Sequence, residues 1–213
     1  PEILGSKNPV SSDFLVVDSS RTRATLKMQD GCNTYCSFCI LPYIRGRSRS
    51  EPLKDLCCQA AELEKRGYRE LVLTGTDLAA YGRDLKPRVR LSEALTALAK
   101  AAPKTAIRLS SIERTALTPD LLRVVRSTIQ IRPHFHIPIQ SGSDTVLKRM
   151  NRKYTTRMFS ERLRALAKIR ERVAIGADAI VGFPGETEKD FDDTCRLVQT
   201  LPISYLHVFP FSS

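Results

Sequence analysis

The sequence predicts an α/β fold, an open partial (β/α)6 barrel, on three observations. From about Ser20 onward short apolar runs alternate with stretches of helical periodicity, the pattern that builds a parallel sheet flanked by helices. Six strand-then-helix units can be counted, the last lacking its helix, and six are too few to close a tight eight-unit barrel. Each apolar run empties into a polar or glycine-rich loop, and in such layouts chemistry collects at the C-terminal ends of the strands.

The elements follow in order. Residues 22–28 alternate at period two and run into a cysteine loop. Residues 52–65 carry Leu53, Leu56, Cys57, Ala60 and Leu63 at helical spacing, with Gly67 as the stop signal. The second strand is 69–74, with Leu71, Val72 and Leu73, and a helix follows at 91–101. The third strand, 105–109, ends in Ser110-Ser111-Ile112-Glu113 and leads to a short helix at 119–125. The fourth strand is 134–139, followed by Gln140-Ser141-Gly142-Ser143, where Ser143 suits a helix N-cap. Phe159, Leu163, Leu166 and Ile169 then stripe a longer helix. The fifth strand, 173–181, ends at Gly182-Phe183-Pro184-Gly185-Glu186. Thr187 and Asp190 make a capping-box-like start to a helix expected to bury Phe191, Cys195, Val198 and Leu201. Residues 204–209 form the sixth strand.

At 213 residues the length suits one sizeable domain, or a domain with a small appendage, and the expected division is a linker remnant at 1–20 and a domain at 21–213. No run approaches the roughly 20 apolar residues of a membrane helix, so no membrane partner is expected. Lys and Arg number 34 against 23 Asp and Glu, and the formal charge of +11 favours an anionic partner, nucleic acid first. Arg45, Arg47 and Arg49 form one basic group; Lys148, Arg149, Arg152, Lys153 and Arg157 form another. Both groups suit phosphate contacts, whereas the Arg-rich helix at 162–172 reads as a solvated face.

The most specific feature is Asp30-Gly31-Cys32-Asn33-Thr34-Tyr35-Cys36-Ser37-Phe38-Cys39, three thiols spaced Cys-x3-Cys-x2-Cys. Iron-sulfur and tetrahedral zinc sites ordinarily take four protein ligands, so three thiolates on a cluster leave one iron open. A structural zinc site needs a fourth Cys or His in a second cluster, which Cys57, Cys58, Cys195, His134, His136 and His207 do not form by spacing. Cys57 and Cys195 read as small core residues and Cys58 as partly exposed. His134 and His136 share a strand face by parity, with packing or substrate lining open to them and metal binding not expected. Thiols kept reduced imply a cytoplasmic location.

The cysteine loop resembles that of the radical S-adenosylmethionine superfamily, in which three cysteines hold a [4Fe–4S] cluster. Residues 39–50, 139–144, 147–150 and 180–187 further resemble the methylthiotransferases, and the segments 108–113 and 206–212 look most like the branch acting on threonylcarbamoyladenosine in tRNA. The resemblance implies a domain of the radical S-adenosylmethionine type. It implies Cys32, Cys36 and Cys39 as cluster ligands, S-adenosylmethionine as cofactor, and a 5'-deoxyadenosyl radical that removes hydrogen from adenine C2. It also implies a second [4Fe–4S] cluster and an RNA-binding domain outside this sequence, tRNA as partner, and an electron donor such as a flavodoxin or ferredoxin.

The same resemblance assigns cofactor contacts: Phe38 against adenine, the loop Thr74, Gly75 and Thr76 for the methionine amino group, Ser111 or Glu113 and Gln140 for ribose and carboxylate. It assigns the stretch 178–182, with Asp178, Ile180 and Gly182, to adenine through its backbone. Glu186 stands one place later than the common acidic position. A dry apolar shell from Phe38, Ile40 and Leu41 is expected around the cluster. Methylthiolation of isopentenyladenosine or of a ribosomal-protein aspartate, and a nucleic-acid-binding module with a structural metal, are the other readings.

Overall fold

A computed structural model describes residues 22–212, which form two compact units. The linker expected at 1–20 lies outside the described residues. The first unit comprises 22–33, 40–110 and 128–132; the second comprises 34–39, 111–127 and 133–212.

In the first unit β1 (Arg23–Lys27), β4 (Glu70–Thr74) and β5 (Ala106–Leu109) make a parallel sheet in the order β1-β4-β5. Leu26 pairs with Leu73 and Leu73 with Leu109, so apolar side chains line up in register. Helices α2 (Leu53–Lys65) and α3 (Leu91–Ala101) turn stripes of Leu56, Ala60, Leu63 and of Ala94, Leu95, Leu98 inward. Each fully buried leucine of this set contributes about 1.5–3 kcal/mol over an exposed one.

A short antiparallel pair, β2 (Gln29–Asp30) with β3 (Arg49–Ser50), and a five-residue helix α1 (Leu41–Arg45) stand between the first strand and α2. Periodicity predicts none of the three, since two paired residues carry no readable repeat.

The second unit holds α4 (Pro119–Ser127), β6 (His134–His136), α5 (Asp144–Arg149), α6 (Thr156–Ala167), β7 (Ala174–Val181), α7 (Glu188–Thr200) and β8 (Tyr205–Pro210). Its sheet is parallel in the order β6-β7-β8. Strand–helix alternation with parallel sheets is the α/β class the sequence predicts.

Three local expectations are corrected. β6 ends at His136 rather than 139, because Pro138 has no N–H and Gln140 turns to φ 66°. Its hydrogen bonding onto β7 nevertheless continues, from Ile137 N to Gly176 O and from Ile180 N to Gln140 O, both 2.8 Å. On α7 the capping box of Thr187 and Asp190 is present and Leu201 is buried as expected, yet Thr194 is buried too, Cys195 and Val198 are half-buried and Phe191 is exposed. The cause is polar anchoring: Gly142 N donates to Thr194 Oγ1 at 2.8 Å and Ser143 Oγ to Asp190 Oδ1 at 2.6 Å. A Cβ at Gly142 would come within 2.4 Å of Thr194 Cα, so only glycine lets the helix lie this way round. Cys57 and Cys195 are half-buried rather than core, and Cys58 is exposed.

Candidate functional site

The cysteine loop leaves β2 through Gly31, whose φ of 73° and lack of a side chain are both required. A Cβ there would sit 2.2 Å from Arg47 O. Cys32 N then donates to Gly46 O at 3.1 Å, which fastens the first thiol to the Arg45–Arg49 segment. Two buried polar residues to which the sequence assigns no role organise the surroundings. Gln29 Nε2 donates to Gly31 O and Ser48 Oγ, while its Oε1 accepts from Asp77 N at 2.7 Å. Asp30 accepts from Gly31 N, Lys27 Nζ and Thr76 Oγ1. Burial would raise its pKa, but these donors and the Lys27 charge win and hold the carboxyl below its ordinary value.

The loop Thr74, Gly75 and Thr76 is thereby tied to the start of the cysteine loop within one unit. Gly75 has no room for a side chain, with Gln29 Oε1 and Leu78 Cδ2 both 2.9 Å from where a Cβ would stand. The signal for Gln29 and Asp30 is an uncharged amide and a carboxylate directly after an apolar strand, adjacent to the first cysteine.

Cys36, Phe38 and Cys39 belong to the second unit. Cys39 N donates to Cys36 O at 3.0 Å, closing a turn. The loop hangs on the end of α5: Ser37 N bonds Met150 O at 3.2 Å, Ser37 Oγ bonds Arg149 O at 2.9 Å, and Asn151 Nδ2 donates to Tyr35 O at 2.8 Å. Phe38 packs with Ile180 and Phe211 against the buried Val146, Met150 and Phe183. Two residues expected at adenine, Phe38 and Ile180, therefore share one apolar cluster. Ile40 and Leu41, which belong to the first unit, are 65 % and 37 % exposed, which does not suit the dry shell expected of them.

Arg152 departs most from expectation. Read as a phosphate contact, its side chain is only 3 % exposed and ion-paired to Glu113. Its NH1 lies 3.1 Å from Cys36 Sγ, its Nε donates to Tyr154 Oη at 3.3 Å, and its guanidinium lies 5.0 Å from the Tyr154 ring centre. Burial opposes the charge, but Tyr154, Glu113 and Cys36 outweigh it and raise the Arg152 pKa. Burial pushes the Tyr154 phenol up to about 12. A cation held at a cysteine sulfur suits a thiolate, and Cys36 and Cys39 of the second unit are free of disulfides, so these two thiols fit iron-sulfur ligation; Cys32, in the first unit, is likewise free.

The remaining assigned contacts are placed as follows. Gln140 holds a left-handed backbone, uncommon for a residue with a side chain, and its peptide is bonded to β7 instead of capping the next helix. Ser143 Oγ does that capping, accepting from Val146 N. Ser111 is exposed and bridges to His136. Asp178, assigned to adenine through its backbone, has a carbonyl that accepts from Ile139 N and Gln140 N. Gly182 N and Phe183 N both donate to Glu186 Oε2, which holds the turn after β7.

Among the other basic residues, Arg45, Arg47, Lys148 and Lys153 are exposed. Arg49 is exposed too, but lies 3.5 Å from Asp30, and Arg149 donates to Gly185 O.

Residues 26–198 match the family model described as the radical SAM superfamily. The chain is 45 % identical over 196 residues to the threonylcarbamoyladenosine tRNA methylthiotransferase of Bacillus subtilis, covering 91 % of this chain and 43 % of that protein. It is 36 % identical over 214 residues to a tRNA-2-methylthio-N(6)-dimethylallyladenosine synthase of Clostridium tetani, covering 99 % and 47 %. The chain spans about half the length of these relatives. Among solved structures, the radical S-adenosylmethionine methyltransferase TsrM of Kitasatospora setae is similar in fold, with TM-score 0.72 at 15 % identity over 88 % of this chain and 35 % of that one.

Proposed function

Because the chain belongs to the radical SAM superfamily, whose cofactors are a [4Fe–4S] cluster and S-adenosylmethionine, we propose that it is the radical-generating part of a tRNA methylthiotransferase acting at C2 of threonylcarbamoyladenosine. The observation that carries this reading is the 45 % identity over 91 % of the chain to an enzyme of that name.

In this reading Cys32, Cys36 and Cys39 hold the cluster. Bound there, the cluster and S-adenosylmethionine supply reductive cleavage to a 5'-deoxyadenosyl radical. The chain's own residues bind and orient. Phe38 and Ile180 offer the adenine an apolar surface, and Gly182 leaves the backbone beside them open, with no atom within 4 Å of where a Cβ would stand. Thr74 and Thr76 receive the methionine amino group. Glu113, Gln140 and Ser111 supply acceptors and donors for the carboxylate and ribose. Arg152 keeps positive charge at Cys36 and so favours its thiolate. Arg45, Arg47, Lys148 and Lys153 contact tRNA phosphates, with Arg49 and Arg149 shared between that task and their protein partners.

A flavodoxin or ferredoxin delivers the electron in a reducing cytoplasm. A second [4Fe–4S] cluster, donor of the sulfur, belongs to the part of the whole protein that these residues do not span.

Anaerobic reconstitution tests the first half: iron and sulfide uptake, with an electron paramagnetic resonance signal that changes on adding S-adenosylmethionine. Stoichiometric zinc and no such signal would leave a nucleic-acid-binding module with a structural metal. Nucleoside analysis of tRNA from a deletion strain tests the second half. Loss of the methylthio group from threonylcarbamoyladenosine supports the proposal. Loss from dimethylallyladenosine, or unchanged tRNA with an unmodified ribosomal protein, transfers the activity to another substrate.

A further inference from the structure

One cluster of side chains is not used by the cofactor contacts, which take Asp178 only through its backbone. In the second unit, β6, β7 and β8 turn His134, His136, Asp178, Tyr205 and His207 to one face of the sheet. Register pairs Asp178 with His207 and Gly176 with Tyr205. The Tyr205 ring occupies the space a side chain at position 176 would need: a Cβ there would stand 2.1 Å from the ring. His136 Nε2 lies 2.8 Å from Asp178 Oδ1, and His207 Nδ1 lies 3.2 Å from the same oxygen. All three donor atoms lie within 4.8 Å of one another.

Two imidazoles and a carboxylate presented by three neighbouring strands are a ligand set for a first-row divalent ion. Bonds of about 2.0–2.1 Å to such an ion place neighbouring donors about 3.3 Å apart. Small side-chain rotations reach that spacing from the 2.8 and 3.2 Å observed. A metal-bound histidine also needs its other nitrogen held. His136 Nδ1 lies 3.2 Å from Tyr205 Oη, which lies 3.0 Å from His134 Nε2. This chain aims His136 Nε2 at Asp178. The His136 side chain is 12 % exposed and that of His207 57 %, so the ligands are rigid on one side and open to a further ligand on the other.

We propose that His136, Asp178 and His207 bind a divalent transition-metal ion of the zinc class, with an open coordination position beside His207 for an oxygen or nitrogen donor. The site shares no residue with the cysteine loop. With the ion bound, its charge turns from negative to positive, which suits an anionic or strongly polar ligand group.

The test is titration of anaerobically reconstituted wild-type protein with Co2+, followed by Zn2+. Expected are visible d–d bands from a single Co2+, no thiolate-to-cobalt charge-transfer band, and displacement by Zn2+. Tyr205→Phe should weaken the uptake by about 10- to 100-fold, and His207→Ala, at a largely exposed position, should weaken it further while far-ultraviolet circular dichroism stays unchanged. No uptake by the wild type, a thiolate band, or uptake indifferent to His207→Ala overturns the proposal and leaves a hydrogen-bonded chain ending on Asp178.

Discussion

Replacing Arg152 with Met removes a cation that three groups share. The guanidinium pairs with Glu113, reaches Cys36 Sγ at 3.1 Å and lies over the Tyr154 ring. Methionine fills much of the volume, so the loss is electrostatic rather than a cavity. Breaking a buried ion pair by removing one partner costs about 3–5 kcal/mol. The Glu113 side chain keeps 26 % exposure and can recover some hydration, which puts the expected loss near the low end, about 3 kcal/mol. In a chain of this size that lowers the melting temperature by about 6–12 °C.

Thermal unfolding of the cluster-free protein followed by circular dichroism measures it. Adding Glu113→Gln to Arg152→Met should recover part of the loss, because the stranded carboxylate is then gone, with a coupling of about 0.5–3 kcal/mol. A single variant melting within about 2 °C of wild type, under about 1 kcal/mol, would show that Arg152 is a solvated surface charge and refute the reasoning.

Three other outcomes follow from geometry. Gly31→Ala sets a Cβ against the Arg47 carbonyl at a backbone angle that disfavours side chains, and should cut iron incorporation on reconstitution; wild-type iron content would contradict this. Gln140→Gly should relieve a left-handed residue, leaving stability equal or up to about 1 kcal/mol higher, while S-adenosylmethionine binding by equilibrium dialysis weakens; unaltered binding removes the side chain from the site. Hydrogen bonds from Ser143 and Thr187 hold the Asp190 carboxyl at about 2 against an ordinary 3.8. The folded value lies below the unfolded one, so its contribution is complete above about pH 4 and fades as the pH falls toward about 2. That portion of the acid unfolding curve should be missing in Asp190→Asn.

The features legible in the sequence were those with local causes. Helix α3 falls at 91–101 as expected, and the caps at Ser143 and Thr187 could be read because the hydroxyl and its amide are three residues apart. Apart from β6, which stops at His136 before Pro138, strand ends and the loops after them were equally plain, since hydrophobic runs and glycines mark them. What escaped depended on partners far along the chain. Arg152 stands in a run of basic residues and looks solvated until Glu113, 39 positions away, is brought to it. Phe191 carries the helical period of a core residue, but Gly142 and Ser143 bind the helix by Thr194 and Asp190, and that rotation wins. The exposure of Ile40 and Leu41 is not encoded by spacing alone. His136, Asp178 and His207 are separated by 42 and 29 positions, and only the register of β6, β7 and β8 joins them.

The amide of Gln29 gives hydrogen to Gly31 and Ser48 and takes one from Asp77. Three loops therefore share one reference point, and the amide can face only one way, since reversing it would set oxygen against oxygen. Glutamate has the same shape but cannot donate, so the change of a single nitrogen to oxygen would disturb all three loops together. A substitution at one of the loop tips leaves this shared anchor in place, whereas a substitution at position 29 removes it from all three loops at once.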